Sequence, residues 1–358
     1  MKIGILTFHQ AINFGAVLQA YALQETLKSL GHDATVIDYT PTWDNSVHGG
    51  VLFELKQRIK KVLFTPVHAK RSKIFKAFCD QHLKLDGLNL NDATNDYDAF
   101  ILGSDQIWNP VITANGFDHV YFGDFVSVKG IKKISYAGSI GSTNNVSDTQ
   151  KKEFIDLLNS LDGVSIREKE LQDYLTENSV KSHIVLDPVL LSGKECFEHL
   201  VHEVKEKEPY LLVFQINRDQ SVLDYAKRVA NELNLKLVEI VPMVATKDVS
   251  FRNQTMSPSD FLSYIHHASY IVTGSFHATA FSILFHKKLS VLENAKASSR
   301  MKSLLESVGL IDRLTNDYNA PINKNALLSE IDYNAVENKL ADLRCESINY
   351  LKSNLANE

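Results

Sequence analysis

The sequence has few of the features that mark disulfide-rich, zinc-binding and membrane-spanning proteins. Its three cysteines, Cys79, Cys196 and Cys345, are an odd and widely scattered set, which makes neither a disulfide framework nor a zinc knuckle. No apolar run approaches the roughly 18 residues of a membrane span. The N-terminal sequence MKIGILTFHQ lacks the long apolar stretch of a signal peptide. We therefore expect a cytoplasmic protein that would meet a membrane only peripherally, at its inner face.

An excess of positive charge and the common metal-binding motifs are also missing from the sequence. The 38 Lys and Arg residues against 43 Asp and Glu give a formal net charge of −5, which argues against a nucleic-acid partner. The patterns H-E-x-x-H and C-x-x-C and the EF-hand loop do not occur. The adjacent His266 and His267 would point to different faces of a helix. A metal-free transferase is the class that fits best.

Short apolar or β-branched runs alternate with helical patterns in two successive series. The first series begins with the run 2–8 and ends with 183–187, and the second begins with 210–215 and ends with 289–292. Repeated strand–helix–strand units predict parallel sheets with helices on both faces. We therefore predict an α/β protein of two Rossmann-like, doubly wound domains, with the cleft between them as the default ligand site.

Domain boundaries follow from the gap between the two series. Residues 1–190 form the predicted first domain and 191–332 the second, with a linker near 187–209 that holds the charged run 203–208. A long final helix within 333–358 would pack back onto the first domain.

Two local patterns give more specific helix predictions. Helical spacing predicts separate helices over about 51–64 and 72–83. Ser257, Pro258 and Asp260 have the order of an N-cap, a first helical residue and a first-turn acid, so they predict the start of another helix.

The turn after the first strand, residues 9–19, brings Gly15 to the start of a predicted helix. A helix N-terminus offers backbone N–H groups and a positive dipole end to an anion, and Asn13 could add a side-chain contact. The turn has neither the G-x-G-x-x-G nor the P-loop pattern. A ligand contact and a plain tight turn are equally good interpretations.

A polar loop, residues 103–109, follows the predicted strand 97–102. Asp105, Gln106 and Trp108 provide a carboxylate, an amide and an aromatic face, which together suit sugar hydroxyls. Asp105 could accept a proton from an attacking hydroxyl. In the alternative interpretation, Asp105 caps the loop and Trp108 anchors the core. The functional interpretation is favoured because ligands of such sheets bind at the carboxyl ends of the strands.

Two further candidate residues stand directly after predicted strands. Arg167 has a planar guanidinium suited to a carboxylate or phosphate, and a weak ion pair with Glu168 is an equally good interpretation. His277 lies in a first helical turn among small residues and could exchange protons near neutral pH. A satisfied core histidine is the plainer alternative for His277.

The stretch 56–76 is basic, with no acidic residue. Apolar residues are interleaved with its basic side chains, so the stretch could face anionic lipid headgroups or a lipid-linked pyrophosphate. A solvated helix face is the commoner meaning of such a charge run. The basic residues are Lys56, Arg58, Lys60, Lys61, Lys70, Arg71, Lys73 and Lys76.

Taken in order, these segments resemble the polysaccharide pyruvyl transferase family. The resemblance is carried by TFHQAINFGAVLQAYALQ, ILGSDQIWNP, SYAGSIG, VSIREKE, LDPVLL, TGSFHATAFSILFHKKLSVL and SSRMKSLLESVGL. It implies two Rossmann-like domains arranged as in the GT-B glycosyltransferases, the first on the acceptor side and the second on the donor side. It also implies transfer of a pyruvyl group from phosphoenolpyruvate to two hydroxyls of a sugar, as a cyclic ketal.

The resemblance assigns the donor contacts. Arg167 matches the family's arginine after a strand, and His277 matches the histidine of its R-L-H motif, so both would bind the donor's phosphate or carboxylate. Ser275 and Phe276 stand in place of the arginine and leucine of that motif. One expected guanidinium is therefore missing, and we expect Arg300 to supply its charge.

The remaining roles are our own assignments from the chemistry that the implied reaction requires. Asp105 and His277 would be catalytic, Asp105 on the acceptor hydroxyl and His277 on the donor. Gln215, at the end of the second domain's first strand, is a further expected donor contact. Phosphoenolpyruvate is a co-substrate, and neither a cofactor nor a metal is expected. The acceptor is expected to be a sugar in a polysaccharide or in a lipid-linked oligosaccharide precursor. It would lie against Asn13, Gly15, Asp105, Gln106 and Trp108.

Two other functions remain open at this point. A GT-B glycosyltransferase that uses a nucleotide sugar would also need phosphate contacts in the second domain. A non-catalytic saccharide-binding protein of the same pathway is favoured by the serine at position 275.

Overall fold

The structure, a computed structural model, describes most of the chain as two compact units. The first unit is Met1–Pro188 together with Tyr350–Glu358, and the second is Val189–Asn349. Among the described residues, no helix has both the length and the apolarity needed to cross a bilayer. Only the backbone is described for residues 51–65 and 298. The described residues are 1–41, 51–87, 96–113, 116–126, 128–242, 255–293 and 298–356.

The first unit is built on a five-stranded parallel sheet with the order β3-β2-β1-β4-β5. Chain order reverses between β1 and β4, so this is the topological switch point where ligands of open α/β sheets bind. A two-stranded sheet of β6 and β7 continues from β5 through isolated bridges. The strands are β1 (Lys2–Leu6), β2 (Asp33–Ile37), β3 (Leu85–Asp86), β4 (Ala99–Leu102), β5 (Lys132–Ser135), β6 (Ser165–Ile166) and β7 (His183–Ile184).

Four α-helices and two 3-10 turns cover this sheet within the described residues. The prediction of two helices over 51–64 and 72–83 is wrong, because one helix runs from Val51 to His82 with Pro66 inside it. Buried Arg71 and Phe75 pack the part after Pro66 against the domain. The elements are the helices Phe14–Ser29, Val51–His82, Asp148–Asn159 and Lys169–Glu177 and the 3-10 turns His119–Phe122 and Thr143–Asn145.

The second unit has its own five-stranded parallel sheet, with the order β12-β11-β10-β8-β9. Its switch point lies between β8 and β10, which pair in parallel with Thr273 opposite Phe214. Sequence patterning predicted β11, the run 289–292, with the bounds observed. The strands are β8 (Tyr210–Phe214), β9 (Lys236–Ile240), β10 (Tyr270–Thr273), β11 (Leu289–Leu292) and β12 (Leu314–Thr315).

The helices after residue 187 include two in the expected linker. The predicted helix start at Ser257 is confirmed: Ser257 Oγ accepts from the Asp260 N–H at 3.0 Å, and Asp260 Oδ2 accepts from the Ser257 N–H at 2.8 Å. The helices are Pro188–Ser192, Glu195–Glu198, Gln220–Leu233, Pro258–His267, Phe276–Leu284, Ser298–Val308, Lys324–Leu328 and Tyr333–Leu355, with a 3-10 turn at Ile311–Arg313.

The end of the last helix belongs to the first unit. Tyr350 Oη donates to the Ser135 carbonyl at 3.0 Å. Lys132 Nζ donates to the carbonyl oxygens of Asn354 at 3.0 Å and Ala356 at 2.6 Å. The lysine charge therefore lies at the negative end of the helix dipole, where a cation is stabilising.

Candidate functional site

The loop after β4 is held in an unusual backbone conformation next to the loop after β5. Gly103 has a φ of 124°, and a Cβ there would collide with the Tyr136 carbonyl oxygen, so only glycine fits. Asp105 has a φ of 74°, a left-handed conformation that aspartate tolerates better than most residues. Asp105 also pairs with Gly138 in a parallel bridge. The loop that carries Asp105 is thus fixed by its neighbour.

Trp108 anchors this loop in the core. Its side chain is 0% exposed, its Nε1 donates to the Tyr121 carbonyl at 3.1 Å, and its ring stacks on Phe122 with centroids 5.6 Å apart. A Cβ on Gly138 would meet the indole at 2.5 Å. The structure therefore disagrees with the expectation that Trp108 contacts the acceptor, because a fully buried ring presents no face to a ligand.

Asp105 and Gln106 are the side chains of the loop nearest to solvent. The Asp105 side chain is 12% exposed, and Gln106 is partly exposed. Gln106 Oε1 accepts from Asn109 Nδ2 at 2.8 Å, which orients the Gln106 amide nitrogen as a donor. A carboxylate beside an amide donor is the pair expected for binding sugar hydroxyls.

Arg167, at the end of β6, places each of its guanidinium nitrogens against a different carboxylate. Nη2 contacts Asp105 Oδ1 at 3.0 Å, Nη1 contacts Asp187 Oδ2 at 2.5 Å, and Nε contacts Glu168 Oε1 at 3.3 Å. The Arg167 side chain is 2% exposed. Burial alone would lower its pKa, but the charges of Asp187, Asp105 and Glu168 outweigh burial and raise the pKa. Arg167 is therefore a permanent cation.

These contacts bear on the two interpretations of Arg167. The ion pair with Glu168 is present, and it is one part of a larger buried cluster rather than a surface pair. A donor anion that bound Arg167 would have to share or replace one of the carboxylates. Within the described residues, no group of three or more His, Cys, Asp or Glu side chains has the arrangement of a metal site.

A buried hydrogen-bond chain links this cluster to the first helix. The Ser104 N–H donates to Gln19 Oε1 at 3.3 Å, and Gln19 Nε2 donates to Thr7 Oγ1 at 2.7 Å. The Ser104 hydroxyl donates to Asp187 Oδ2 at 3.3 Å and shares its proton with the Ala137 carbonyl at 3.1 Å. Sequence reasoning missed Gln19, Ser104 and Asp187. The available signals were an amide among the apolar residues of the first helical turns and an acid directly before Pro188.

The turn after β1 forms a capped helix start. Asn13 Oδ1 accepts from the N–H groups of Gly15 at 2.9 Å and Ala16 at 3.4 Å. The Asn13 side chain thus occupies donors that an anion would use, which is the geometry of the tight-turn interpretation. Arg71 Nη2 donates to the Ile12 carbonyl at 3.0 Å, and burial lowers the pKa of Arg71 to about 10.

The basic stretch is only partly described. Arg71 is 6% exposed and packs inward, whereas Lys70, Lys73 and Lys76 are exposed on the same helix. The side chains of Lys56, Arg58, Lys60 and Lys61 lie outside the described residues. Contact of this stretch with an anionic membrane stays a prediction.

In the second unit, Gln215 lies at the carboxyl end of β8, at the switch point. It is 6% exposed, and its Oε1 accepts from the Asp219 N–H at 2.7 Å. Its Nε2 is buried and has no hydrogen-bond partner among the described residues. Thr273 Oγ1 donates to the Phe214 carbonyl at 2.9 Å, so Gln215 lies beside the residues that follow β10. A buried amide donor without an acceptor is costly unless a ligand supplies one.

The helix Phe276–Leu284 begins directly after β10. Ser275 is its N-cap but makes no side-chain capping bond; its N–H donates to Thr273 Oγ1 at 3.1 Å. Ser275 and Phe276 are buried, and His277 is half-buried in the first turn. A helix start without a side-chain cap presents its N–H groups and the dipole's positive end to an anion.

Arg300 lies on the helix that packs against this one. Thr279 Oγ1 contacts Met301 Sδ at 3.5 Å, and Arg300, next to Met301, is 8% exposed. A buried guanidinium on the adjacent helix agrees with the idea that this region carries positive charge. The specific substitution for the motif arginine at Ser275 stays a prediction.

Comparison with known structures finds similar chains at low sequence identity. The UDP-GlcNAc 2-epimerase from Methanocaldococcus jannaschii is similar over 95% of this chain and 93% of its own, with a TM-score of 0.50 and 11% identity. The UDP-GlcNAc 2-epimerase from Neisseria meningitidis is similar over 100% of this chain and 95% of its own, with a TM-score of 0.47 and 9% identity. The E. coli ADP-heptose LPS heptosyltransferase II is similar over 97% of this chain and 100% of its own, with a TM-score of 0.39 and 10% identity. A search of curated protein sequences finds no match.

Each unit has a five-stranded parallel sheet with a switch point, so the prediction of an α/β protein with two Rossmann-like, doubly wound domains is confirmed. The family model of polysaccharide pyruvyl transferase matches residues 13–295, most of the chain. The chain belongs to the polysaccharide pyruvyl transferase family.

Proposed function

We propose that this protein transfers a pyruvyl group, as a 1-carboxyethylidene unit, from phosphoenolpyruvate to two hydroxyls of one sugar. The product is a cyclic ketal on a polysaccharide or a lipid-linked oligosaccharide precursor, and phosphate is released. Beyond family membership, one observation supports this donor most: the buried Gln215 amide donor lies beside the helix start at Ser275, whose own side chain makes no capping bond. This is an environment for a small anion.

The proposed reaction balances without a cofactor. The methylene carbon of phosphoenolpyruvate takes a proton and becomes a methyl group, which leaves an oxocarbenium-like C2. One sugar hydroxyl forms a bond to C2 and loses its proton, and the C2–O bond to phosphate breaks as phosphate leaves. The second hydroxyl then bonds to C2 and closes the ketal. Of the two hydroxyl protons, one replaces the proton taken by the methylene carbon and the other ends on phosphate.

We assign the donor to the second unit. Phosphoenolpyruvate carries up to three negative charges, which charge-assisted hydrogen bonds and a helix N-terminus stabilise. Gln215, His277 and the N–H groups after Ser275 would hold these oxygens, and His277 would deliver a proton to the leaving phosphate. Arg300 is proposed to supply the charge absent at Ser275.

The acceptor is assigned to the loop after β4. Asp105 would accept the proton of the attacking hydroxyl, and the amide of Gln106 would donate to a neighbouring sugar oxygen. Arg167, which contacts Asp105 at 3.0 Å, would hold this carboxylate in place. For Arg167 also to contact phosphoenolpyruvate, the donor would have to replace one of the carboxylates that the guanidinium now contacts. A lipid-linked acceptor would bring the exposed Lys70, Lys73 and Lys76 close to an anionic membrane at its cytoplasmic face.

Donor consumption tests the proposal against its nearest rival. The protein is incubated with a panel of methyl hexopyranosides and either phosphoenolpyruvate or UDP-sugars, and released phosphate and UDP are measured separately. We expect phosphate release from phosphoenolpyruvate that depends on the acceptor. UDP release without phosphate release would establish a nucleotide-sugar glycosyltransferase instead.

One substitution in each unit tests the assigned site residues and the alternative of a non-catalytic binding protein. Arg167→Ala and His277→Ala should each lower phosphate release by roughly 100-fold, in the range for a lost catalytic or positioning group. Full activity in both variants would contradict the assignment. Saccharide binding by wild type, with no consumption of any donor, would favour a binding protein.

Membrane contact has a separate test. Sedimentation with vesicles of neutral lipid, with and without anionic lipid, should show binding only to the anionic vesicles. Equal sedimentation in both would remove membrane contact from the proposal.

A further inference from the structure

Asp187 is an acid that lies at the centre of the first unit's polar cluster but cannot reach a substrate. It follows β7 and directly precedes Pro188 in the segment LDPVLL. Its side chain is 0% exposed, so no ligand can touch it. A carboxylate is costly to bury unless it is paired, so its presence here calls for a role in the cluster.

Two separate connections run from Asp187 to Asp105. In the first, Asp187 Oδ2 contacts Arg167 Nη1 at 2.5 Å, and Arg167 Nη2 contacts Asp105 Oδ1 at 3.0 Å. In the second, the same Asp187 oxygen accepts from the hydroxyl of Ser104 at 3.3 Å, and Ser104 is the residue directly before Asp105. Asp187 therefore holds both the side chain of Asp105, through the guanidinium, and the backbone that carries it.

The same arrangement affects the charge around Asp105. Arg167 alone would favour the ionised form of any adjacent carboxylate and make it a poor proton acceptor. The negative charge of Asp187 on the opposite side of the guanidinium offsets this influence. The position and the basicity of the Asp105 carboxylate thus both depend on Asp187, and the buried Glu168 at Arg167 Nε adds to the same charge balance.

We propose that Asp187 is a positioning residue for the transfer reaction, which acts through Arg167 and Ser104 to place Asp105 and to keep it a proton acceptor. This inference rests on the proposed function, in which Asp105 takes the proton of the acceptor hydroxyl. It assigns a role to the acid of the LDPVLL segment and to the serine before Asp105.

Asp187→Asn tests the role with little change of shape. We expect kcat to fall 10- to 100-fold, as for a misplaced catalytic group, with the KM for phosphoenolpyruvate changed less than about threefold, since the donor is assigned to the other unit. Because the substitution removes the negative charge of Asp187, Arg167 should stabilise the ionised form of Asp105 more strongly. The acid limb of the plot of kcat against pH should therefore move to lower pH. Asp173→Asn, at an exposed pair with Lys169, is the matched control and should behave as wild type.

A double-mutant cycle shows whether Asp187 acts through Arg167. Arg167→Lys keeps the charge but replaces the planar guanidinium, whose three nitrogens each contact a different carboxylate, by a single ammonium nitrogen. Adding Asp187→Asn to Arg167→Lys should lower kcat much less than it does in wild type. Equal effects in both backgrounds, or a lower kcat with an unmoved acid limb, would overturn the proposal in favour of a purely structural role.

Two further experiments cover the cases in which the variant does not fold or the wild type is inactive on phosphoenolpyruvate. If Asp187→Asn yields no folded protein, Ser104→Ala removes one of the two connections, and wild-type kcat in that variant would overturn the proposal. If wild type does not consume phosphoenolpyruvate, the proposed function fails separately. A crystal structure of Asp187→Asn then decides the positioning role: an Arg167–Asp105 contact kept at its wild-type distance would contradict it, and loss of the contact would support it.

Discussion

Gln19 and Ser104 are joined by a buried hydrogen bond, although 85 residues separate them in the chain. Gln19 Oε1 accepts the N–H of Ser104, and Gln19 Nε2 donates to Thr7 Oγ1 at 2.7 Å. The bond connects the helix after β1 to the loop after β4, the two sides of the first unit's switch point. The helix thereby sets the position of the loop that carries Asp105.

This bond gives the first prediction. Gln19→Leu leaves the buried N–H of Ser104 without a partner, so we expect a loss of about 1–3 kcal/mol in the free energy of unfolding and a fall in kcat of roughly tenfold. Urea unfolding and phosphate release measure the two effects.

Gln24 provides the matched control on the same helix. It is also fully buried, and its amide bonds to the backbone of Lys84 twice, at 3.1 Å each, and accepts from Lys28 Nζ at 3.2 Å. Gln24→Leu should lower stability by a similar amount and leave kcat unchanged. Equal loss of kcat in both variants would show that general destabilisation explains the effect.

The second prediction concerns Gly138. Its position lies against the ring of Trp108, and a Cβ there would approach the indole at 2.5 Å. Because the ring is rigid and fully buried, Gly138→Ala should lower the free energy of unfolding by about 1–3 kcal/mol and lower kcat by moving the Asp105 loop. Gly116→Ala, where a Cβ meets nothing within 4 Å, should be close to neutral. A Gly138→Ala variant as stable and active as Gly116→Ala would contradict the packing described here.

The third prediction tests the donor side. Gln215→Glu keeps the oxygen that accepts from the Asp219 N–H at 2.7 Å but replaces the buried amide donor by a negative oxygen. We expect the KM for phosphoenolpyruvate to rise at least tenfold, because a hydrogen bond to a charged group is worth about 1.5–3 kcal/mol. Gln220→Glu, an exposed position at the start of the next helix, controls for added charge. An unchanged KM in Gln215→Glu would place the donor elsewhere.

Sequence patterning located the regular elements better than the polar cluster. Strand β11 was predicted because a fully buried parallel strand appears as a continuous apolar run. The short strands β3 and β12, each of two residues, are too brief to give a periodic signal. The break predicted between 64 and 72 was wrong because packing after Pro66 continued the helix.

The candidate site was only partly visible in the sequence. Arg167 and Asp105 were selected because each follows a strand, and the structure places them 3.0 Å apart. Trp108 was assigned to the surface of the site, since an indole in a polar loop does not reveal which way it points. Asp187 was missed because a partner 20 residues away leaves no periodic trace in the sequence.

The fourth prediction is a pH dependence of stability. The hydrogen bond of His119 to Glu153 raises the pKa of His119 from its ordinary value of 6.5; slight burial opposes this, and Asp124 adds to it. A raised pKa in the folded state stabilises that state fully below pH 6.5, and the contribution is lost as pH rises through the folded-state value. Because this pair is exposed, the effect should be on the order of 0.2–1 kcal/mol.

Urea unfolding of wild type and His119→Gln between about pH 5.5 and 8 measures this contribution. The stability difference between the two proteins should be larger at the acidic end and shrink as pH rises. A difference that stays constant, or grows with pH, would contradict the described interaction.

The central claim is that phosphate leaves the donor as a ketal forms on the acceptor. Mass spectrometry of the sugar and phosphate determination on the same sample test it most directly. The account predicts one phosphate released for each carboxyethylidene unit added, with the acceptor losing two free hydroxyls. Phosphate release without that addition, or sugar modification without phosphate release, would contradict it.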